Sequence, residues 1–319
     1  MIRTQFLASG AAALAASAIP VTALAQDAYD LATATGTIFG TLTLPPDRVH
    51  PSVVLIVAGS GPTDRDGNAG PFKMFTYKML AETLAARGIA SVRYDKRGIA
   101  ASHVVGSNES ALRFDDYVDD AVAWINKLRA DGRFGRVALA GHSEGSLIGM
   151  IAAQSAPLDG YISLDGAGRP AAQVLRTQFA DRLATLPVLL AAANHLIDTF
   201  EAGKTTIDVP SELQAPFHRS VQPYLISWLK YDPRVEIAKV RAKTTIVQGT
   251  ADVQVPVSDA RLLAGAKPSA KLVIVDGMAH ILKHVGSMPA EEQFRTAYTD
   301  SSLPIDPAVT DAVAGTVTA

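Results

Sequence analysis

The sequence predicts an α/β fold with a mostly parallel, doubly wound sheet, an N-terminal antiparallel hairpin and a helical cap insertion. Between residues 52 and 164, short β-branched and apolar runs alternate with helical segments, an order typical of a parallel sheet covered on both faces. The alternation stops after residue 164 and resumes near residue 244. We therefore expect one core that is interrupted by an insertion.

Composition limits the classes of protein that fit this chain. It has 319 residues, of which 48% are apolar, a formal charge of −2 and no cysteine. This length and apolar content suit one large α/β domain. The balanced charge provides no basic surface for nucleic acid, so no nucleic-acid partner is expected. Without cysteine, disulfides, thiolate metal sites and a cysteine nucleophile are excluded.

Residues 1–25 have the pattern of a signal peptide. Arg3 supplies a positive charge, residues 6–19 form an apolar run, and residues 23–25 (Ala-Leu-Ala) form a cleavage site before Gln26. A transmembrane anchor is the alternative, but the run is short and is interrupted by serine, glycine and proline. We expect a periplasmic or secreted protein with no membrane contact after cleavage. The sequence does not indicate the oligomeric state.

The first part of the core is predicted to span residues 26–167. Residues 33–44 alternate threonine with apolar residues and predict a short antiparallel hairpin at the sheet edge. Residues 52–58 form a continuous β-branched run, typical of a strand buried on both faces. The elements expected next are a helix at 72–87, a strand at 89–94, a helix at 114–130, a strand at 137–140 followed by a helix, and a strand at 161–164.

Residues 168–235 are predicted to form the helical cap, because they are rich in helix formers and contain no buried strand pattern. Helices are expected at 174–186, 188–200 and 220–229. Some apolar residues of this segment are expected to line an acyl pocket: Leu183, Leu186, Leu189, Leu190, Leu196, Ile197 and Phe200. The alternative is that these helices only seal the core or form a dimer contact. The second part of the core, residues 236–319, is expected to contain strands at 244–247 and 272–275, a helix at 258–264 and a closing helix from Pro307.

A candidate nucleophile lies at the end of the strand at 137–140. Gly141, Ser143 and Gly145 form a G-x-S-x-G pattern between this apolar strand and a following helix rich in alanine, leucine and isoleucine. The pattern indicates a tight turn that leaves no room for side chains at the glycines and exposes the serine hydroxyl. The free N–H groups of the helix would point at the serine. The alternative is an ordinary strand-to-helix turn.

A serine nucleophile needs a histidine base and a carboxylate that orients the histidine. Asp252 follows the predicted strand at 244–247, and His280 follows the strand at 272–275. Each residue would therefore lie at the carboxyl edge of the sheet, in the chain order serine, aspartate, histidine. Asp165, which follows the strand at 161–164, is an alternative acid.

These motifs resemble the α/β-hydrolase superfamily, and within it the exported bacterial serine hydrolases of the dienelactone hydrolase, cinnamoyl esterase and serine aminopeptidase type. The resemblance covers nearly the whole chain after residue 25 and is weakest across the insertion. It implies Ser143 as nucleophile, Asp252 as acid and His280 as base. The stretches that carry it are VLIVAGSGPTDRDGN (54–68), RYDKRGIAAS (93–102), AGHSEGS (140–146), QGTADVQVP (248–256) and DGMAH (276–280).

The resemblance also implies an oxyanion hole formed by the Glu144 N–H and by the N–H of Ser60 or Gly61. One departure is that the loop begins Ala58-Gly59 where many relatives have His-Gly. A backbone donor should survive this change. The implied activity is hydrolysis of small-molecule carboxylic esters through an acyl-enzyme, with no cofactor and no metal. A peptidase or amidase with the same triad and a non-catalytic binding protein are the alternatives.

Other polar residues receive structural interpretations. Asp64, Asp66 and Asn68 are expected to form Asx-turns that brace the oxyanion loop, because the further ligands of a calcium loop are missing. Asp95 and Arg97 are expected to form an internal ion pair below the site. His142 is expected to pack sideways.

Overall fold

The computed structural model describes residues 24–46 and 48–318. The predicted signal peptide falls almost entirely on residues outside this range, so it stays a prediction. The strands are β1 (Gln26–Ala28), β2 (Leu31–Thr33), β3 (Gly36–Ile38), β4 (Gly40–Thr43), β5 (Val53–Val57), β6 (Ala90–Tyr94), β7 (Val137–His142), β8 (Gly160–Leu164), β9 (Lys243–Gly249) and β10 (Lys271–Val275).

The helices cover both faces of the sheet and fill the long connection between β8 and β9, of which residues 168–235 are called the cap below. They are α1 (Thr76–Ala86), α2 (Phe114–Ala130), α3 (Glu144–Ser155), α4 (Ala171–Arg182), α5 (Pro187–Glu201), α6 (Gln214–Phe217), α7 (Gln222–Leu229), α8 (Pro233–Lys239), α9 (Val257–Ala266), α10 (Ala290–Glu292) and α11 (Pro307–Val317). Within the described part of the chain, no helix is both long enough and apolar enough to cross a membrane.

Eight strands form the main sheet in the order β1-β4-β6-β5-β7-β8-β9-β10. Strands β1, β4 and β6 pair antiparallel, and every neighbouring pair from β6 to β10 is parallel. The predicted mostly parallel sheet is therefore confirmed. The chain leaves β5 toward β6 on one side and later returns to β7 on the other, and open α/β sheets bind ligands at the carboxyl ends of strands around such a reversal.

Alternate residues of the buried strands face two separate apolar layers. On one face, Val53, Leu55 and Val57 of β5 pack in the larger cluster with residues of α2 and α3. On the other, Val54 and Ile56 pack with residues of α1 and α11. All five residues of β5 are buried. Such a strand has no solvent face, which explains its unbroken apolar sequence.

The predicted N-terminal antiparallel hairpin is confirmed, but its bounds and its place differ from the prediction. It was expected to span residues 33–44 at the sheet edge. Instead, the turn after Thr33 joins β2 to β3 in a small separate sheet, while β4 enters the main sheet between β1 and β6. Gly40 permits this close packing, because a Cβ there would lie 2.5 Å from the Tyr29 carbonyl oxygen.

Helix α1 begins four residues later than the predicted start at residue 72. Phe75 has a positive φ of 51°, which is not helical, so the helix begins at the next residue. The Asp66 carbonyl oxygen accepts the free N–H groups of Tyr77 and Lys78 in the first turn. The loop therefore caps the helix through a contact that periodicity does not reveal.

Candidate active site

The candidate nucleophile lies in a strained turn between β7 and α3. Ser143 has φ 54° and ψ −120°, an unfavourable conformation for a residue with a side chain. A Cβ at Gly141 would lie 2.1 Å from the Gly145 carbonyl oxygen, and one at Gly145 would lie 2.3 Å from the Val57 carbonyl oxygen. Both glycines are therefore required by close backbone contacts, as the sequence pattern predicts.

His280 and Asp252 are hydrogen-bonded at the same edge of the sheet. His280 Nδ1 lies 2.8 Å from Asp252 Oδ2, and the Asp252 side chain is fully buried. Asp252 Oδ1 accepts the N–H groups of Gln254 and Val255 at 2.7 and 2.9 Å. Burial alone would raise the pKa of Asp252, but the nearby His280 and these N–H donors hold it below its ordinary value. Ser143 and His280 line one cavity.

Asp165, the alternative acid, is buried beside this pair but is bonded elsewhere. Its Oδ1 accepts the Gly249 N–H at 2.9 Å, and its Oδ2 has no partner among the described residues. Burial and the negative charge of Asp252 raise the pKa of Asp165 well above its ordinary value. The structure thus brings Asp252, rather than Asp165, to the histidine.

The atoms of His142, Asp165 and His280 that could ligate a metal lie within 4.8 Å of one another, a spacing that a metal ion could bridge. Both ring nitrogens of His142 are engaged, however, with the Tyr77 hydroxyl and the His280 carbonyl oxygen. His280 Nδ1 is engaged with Asp252. Binding an ion would disrupt these bonds, so the arrangement suits a hydrogen-bonded site better than a metal centre.

The oxyanion loop follows β5 and lies against the nucleophile turn. A Cβ at Gly59 would lie 3.1 Å from the Ser143 Cβ, so this loop approaches the serine closely. The Gly59 N–H is already donated to the Tyr77 hydroxyl at 3.1 Å, which removes it as an oxyanion donor. Among the described residues, the N–H groups of Ser60, Gly61 and Glu144 have no acceptor. These are the three donors that the sequence resemblance implies.

A buried chain of hydrogen bonds links the oxyanion loop, the nucleophile turn and the His280 loop. The Tyr77 hydroxyl lies 2.8 Å from His142 Nδ1, and His142 Nε2 lies 2.7 Å from the His280 carbonyl oxygen. A carbonyl only accepts, so Nε2 carries the proton and Nδ1 accepts from Tyr77. Burial and the nearby His280 lower the pKa of His142 to about 3. His142 is therefore neutral, and besides packing sideways as expected it joins α1 to the His280 loop through hydrogen bonds.

A second buried network ties the nucleophile helix to the cap. Lys96 Nζ donates to the Gly59 carbonyl oxygen at 2.6 Å and to the Glu144 carboxylate at 3.0 Å. The Tyr224 hydroxyl on α7 donates to the other Glu144 oxygen. The two side chains of the Lys96–Glu144 pair are each 2% exposed. The residue that carries one candidate oxyanion N–H is thus held by the core and by the cap.

Two cavities meet at Ser143. The cap-side cavity, of about 140 Å³, is lined mainly by α4, α3 and residues near the carboxyl edge of the sheet, with Trp228 of α7, and its apolar lining includes Leu147, Val174, Leu175 and Val255. The core-side cavity, of about 250 Å³, is lined by His280 and a largely apolar wall that includes Phe72, Met74, Ile281, Phe294 and Tyr298. Ser60, Ser143 and Gln254 line both cavities.

The expected acyl-pocket residues of the cap do not line either cavity. Leu183, Leu196, Ile197 and Phe200 are buried in the apolar cluster, and Leu186 is exposed. Phe217 packs against Phe179 and Phe200, with ring centroids 5.2 and 5.6 Å apart. The prediction for these residues is wrong, because all of them except the exposed Leu186 pack in or against the apolar cluster that holds the cap helices together. Another face of α4 lines the cavity.

The Asx-turn prediction is confirmed, whereas the ion-pair prediction is wrong. Asp64 Oδ1 accepts the N–H groups of Asp66 and Asn68 at 2.9 and 2.8 Å. Asp95 pairs with Arg65 at 2.6 Å, and Arg97 pairs with Asp120 at 2.6 Å. Asp95 and Arg97 therefore form two separate ion pairs. Neither partner is near in the sequence.

Sequence analysis missed Tyr77, Lys96 and Tyr224. Tyr77 and Tyr224 lie on apolar helix faces, where an aromatic residue is ordinary core, so the sequence gives no signal for their hydroxyl contacts. Lys96 is the second residue after β6, and this position at the carboxyl end of a strand is a signal that could have identified it.

The sheet order, the serine turn and the strand-end residues together define an α/β-hydrolase. Residues 73–244, more than half of the chain, match the serine aminopeptidase S33 family. The chain belongs to that family.

Similar proteins include several esterases. Esterase EstD of Thermotoga maritima is 27% identical in an alignment 252 residues long that covers 76% of this chain, and the chain spans 57% of EstD's length. Est1E from Butyrivibrio proteoclasticus superposes with a TM-score of 0.58 at 15% identity, over 92% of this chain and 99% of Est1E. A thermophilic esterase from Thermogutta terrifontis gives 0.54 at 18% identity, over 92% and 100%. These two structures show the shared fold. Est1E has also been solved with ferulic acid bound.

Proposed function

We propose that this protein is a serine hydrolase that cleaves carboxylic esters through an acyl-enzyme on Ser143. The observation that carries the proposal is the 2.8 Å bond between His280 and buried Asp252, with His280 and Ser143 lining one cavity. An ionised carboxylate at Nδ1 leaves Nε2 of a neutral imidazole free to accept a proton. The similarity to EstD adds support for ester substrates.

In the proposed mechanism, Ser143 Oγ attacks the ester carbonyl carbon while His280 Nε2 takes the hydroxyl proton. The N–H groups of Glu144 and of Ser60 or Gly61 stabilise the negative carbonyl oxygen. The tetrahedral intermediate collapses, the carbon–oxygen bond to the alcohol breaks, and His280 passes its proton to the leaving oxygen. A water molecule then attacks the acyl carbonyl carbon while His280 Nε2 takes its proton. The bond to Ser143 Oγ breaks, His280 returns the proton to this oxygen, and the acid is released.

The test combines covalent labelling with turnover. A fluorophosphonate probe should label the wild type at Ser143, and the protein should hydrolyse p-nitrophenyl esters from acetate upward. Aminoacyl p-nitroanilides serve as the comparison, because the family is named for a serine aminopeptidase. Faster turnover of the anilides would replace the esterase by a peptidase with the same residues. An unlabelled, inactive wild type would favour the non-catalytic binding protein.

We also propose that residues 1–25 direct export and are removed, which makes the mature protein periplasmic or secreted. The support is the charged, apolar and small-residue pattern of this segment. Expression of the full chain in a Gram-negative host, followed by N-terminal sequencing of the periplasmic product, should give a chain that starts at Gln26. A cytoplasmic product with the segment intact would contradict the proposal.

A further inference from the structure

The two cavities at Ser143 differ in their access to the proposed base. His280 lines the core-side cavity and does not line the cap-side cavity. In ester cleavage the base must hand its proton to the leaving alcohol oxygen, so the alcohol lies on the histidine side of the reacting carbon. The acyl group then extends to the opposite side. This assigns the alcohol to the core-side cavity and the acyl group to the cap-side cavity.

The walls and sizes of the cavities differ as well. The core-side cavity is the larger, at about 250 Å³, and aromatic residues stand in its wall: Phe72, Tyr77, Phe294 and Tyr298. Phe294 and Tyr298 pack together with ring centroids 4.8 Å apart. Aromatic walls favour an aromatic ligand, which packs against them edge-to-face or offset. The cap-side cavity, at about 140 Å³, is bounded by aliphatic residues of α3 and α4, with Trp228 beside them.

Charge further restricts both groups. None of the described residues that line the core-side cavity is an aspartate, glutamate, lysine or arginine. Arg169 and Glu144 line the cap-side cavity, but the Arg169 guanidinium is paired with the fully buried carboxylate of Asp259 at 3.0 Å, and the Glu144 carboxylate is paired with Lys96 at 3.0 Å. Neither cavity therefore offers an unpaired charge to a charged substrate group. Both parts of the ester are expected to be neutral.

From this division we infer that the preferred substrates are esters of short, neutral aliphatic acids with neutral arylalkyl alcohols. The inference rests on the proposed function. The ring of the alcohol packs against Phe294 and Tyr298, and the acyl chain ends against Val174 and Leu175 of α4. Packing of the ring holds the leaving oxygen beside His280, where it must receive a proton. The binding energy of the ring therefore lowers the barrier to ester cleavage.

Two isomeric esters separate this assignment from the reverse. Benzyl acetate carries its ring on the alcohol, and methyl phenylacetate carries the same ring on the acid. Benzyl alcohol and methanol are leaving groups of similar acidity, so intrinsic reactivity differs little. We expect kcat/KM for benzyl acetate to be at least about tenfold higher, the scale of burying one ring. Equal or reversed rates would overturn the inference, and reversal would place an aromatic acyl group in the cap-side cavity.

Substitutions in the wall of each cavity test which part of the ester that cavity binds. Phe294→Ala should lower the ratio of kcat/KM for benzyl acetate to that for ethyl acetate by about fivefold or more. Phe39→Ala is the matched control, because Phe39 is 37% exposed, Phe294 is 46% exposed, and Phe39 lines neither cavity. An unchanged ratio in Phe294→Ala would overturn the alcohol assignment.

For the acyl side, Leu175→Ala should raise the rate on benzyl hexanoate relative to benzyl acetate by about fivefold, because it lengthens the cap-side cavity. Leu189→Ala is the control, since Leu189 is a half-buried cap residue that lines neither cavity. The same ratio in both variants would overturn the acyl assignment.

Ser143→Ala distinguishes a failure of the proposed function from a failure of the substrate inference. If that variant hydrolyses the esters, the proposed function fails. If that variant is inactive and the wild type hydrolyses the two isomers at equal rates, only the substrate inference fails.

Discussion

The core side and the cap side of the cleft are held together by different interactions. On the core side, buried hydrogen bonds connect Gly59, Tyr77, His142 and the His280 loop within distances of 2.7 to 3.1 Å. On the cap side, apolar residues of α4 and Trp228 of α7 face the cavity, and separate polar contacts such as Tyr224–Glu144 and Arg169–Asp259 join the cap to the core. Hydrogen bonds fix atoms within tenths of an ångström, whereas apolar packing tolerates replacement of similar volume. The comparison suggests that the core side sets the reaction and the cap side sets the choice of acyl group.

The strongest test of this comparison removes the proposed nucleophile. Ser143→Ala should lower ester turnover by at least about a thousandfold, the scale on which triad members act. The protein should stay folded, because the half-buried hydroxyl contributes little to the core and the strained turn does not require it. Turnover and circular dichroism on the same preparation measure both effects. A clean variant that keeps its activity would refute the mechanism.

The next test compares the two acids. Asp252→Asn should lower kcat by about a hundredfold or more, because the amide no longer stabilises the imidazolium or fixes its tautomer. Asp165→Asn should cost less than about tenfold, since Asp165 bonds to the Gly249 N–H rather than to His280, and its raised pKa favours the neutral carboxyl that an amide resembles. The kcat values at saturating ester decide the ranking. The reverse order would transfer the acid to the end of β8.

Tyr77→Phe tests whether the hydrogen-bonded chain positions the reacting groups. The variant leaves the buried Gly59 N–H and His142 Nδ1 without a partner, so the oxyanion loop should lose its fixed position. We expect kcat to fall about tenfold with little change in KM, because the loss acts on the transition state. Tyr29→Phe is the control, since it also removes a tyrosine hydroxyl bond, to Asp131 at 2.9 Å, and Tyr29 lines neither cavity. Equal kinetics in both variants would reduce Tyr77 to a packing role.

A smaller effect is expected on stability as pH falls. The pKa of His142 is about 3 in the folded protein, below the ordinary value of 6.5, so the unfolded chain binds a proton first. The free energy of unfolding should therefore decrease as pH falls below about 6.5, toward 3. His142→Gln keeps a donor and an acceptor without titrating. Urea midpoints at pH 7 and pH 5 should fall less in this variant than in the wild type. An equal fall would assign the acid sensitivity to other groups.

The smallest effect on selectivity is expected from the interior of the cap. Phe200 is 1% exposed and lines neither cavity. Phe200→Ala should lower the free energy of unfolding by about 3 to 5 kcal/mol, the usual cost of such a cavity. The ratio of rates on acetate and hexanoate esters should stay unchanged. A changed ratio would mean that the cap interior also shapes the acyl cavity.

The sequence by itself determined the elements whose causes are local. The turn at Ser143 follows from Gly141 and Gly145, because a Cβ at either would collide with nearby backbone. The apolar run of β5 identified a strand with no solvent face. The positions of Asp252 and His280 after strands were also readable, because the carboxyl ends of parallel strands meet at one edge.

Tertiary structure alone decided the contacts between distant segments. Tyr77 meets His142 across 65 residues, and Glu144 meets Tyr224 across 80. Asp95 forms its ion pair with Arg65, although Arg97 lies only two residues from Asp95 in the sequence. Likewise, the face of α4 that lines the cavity depends on how α5 and α7 pack against it. The physical reason is that helical periodicity identifies an apolar face but not its neighbour, and a hydroxyl on that face finds its acceptor only when the layers are assembled.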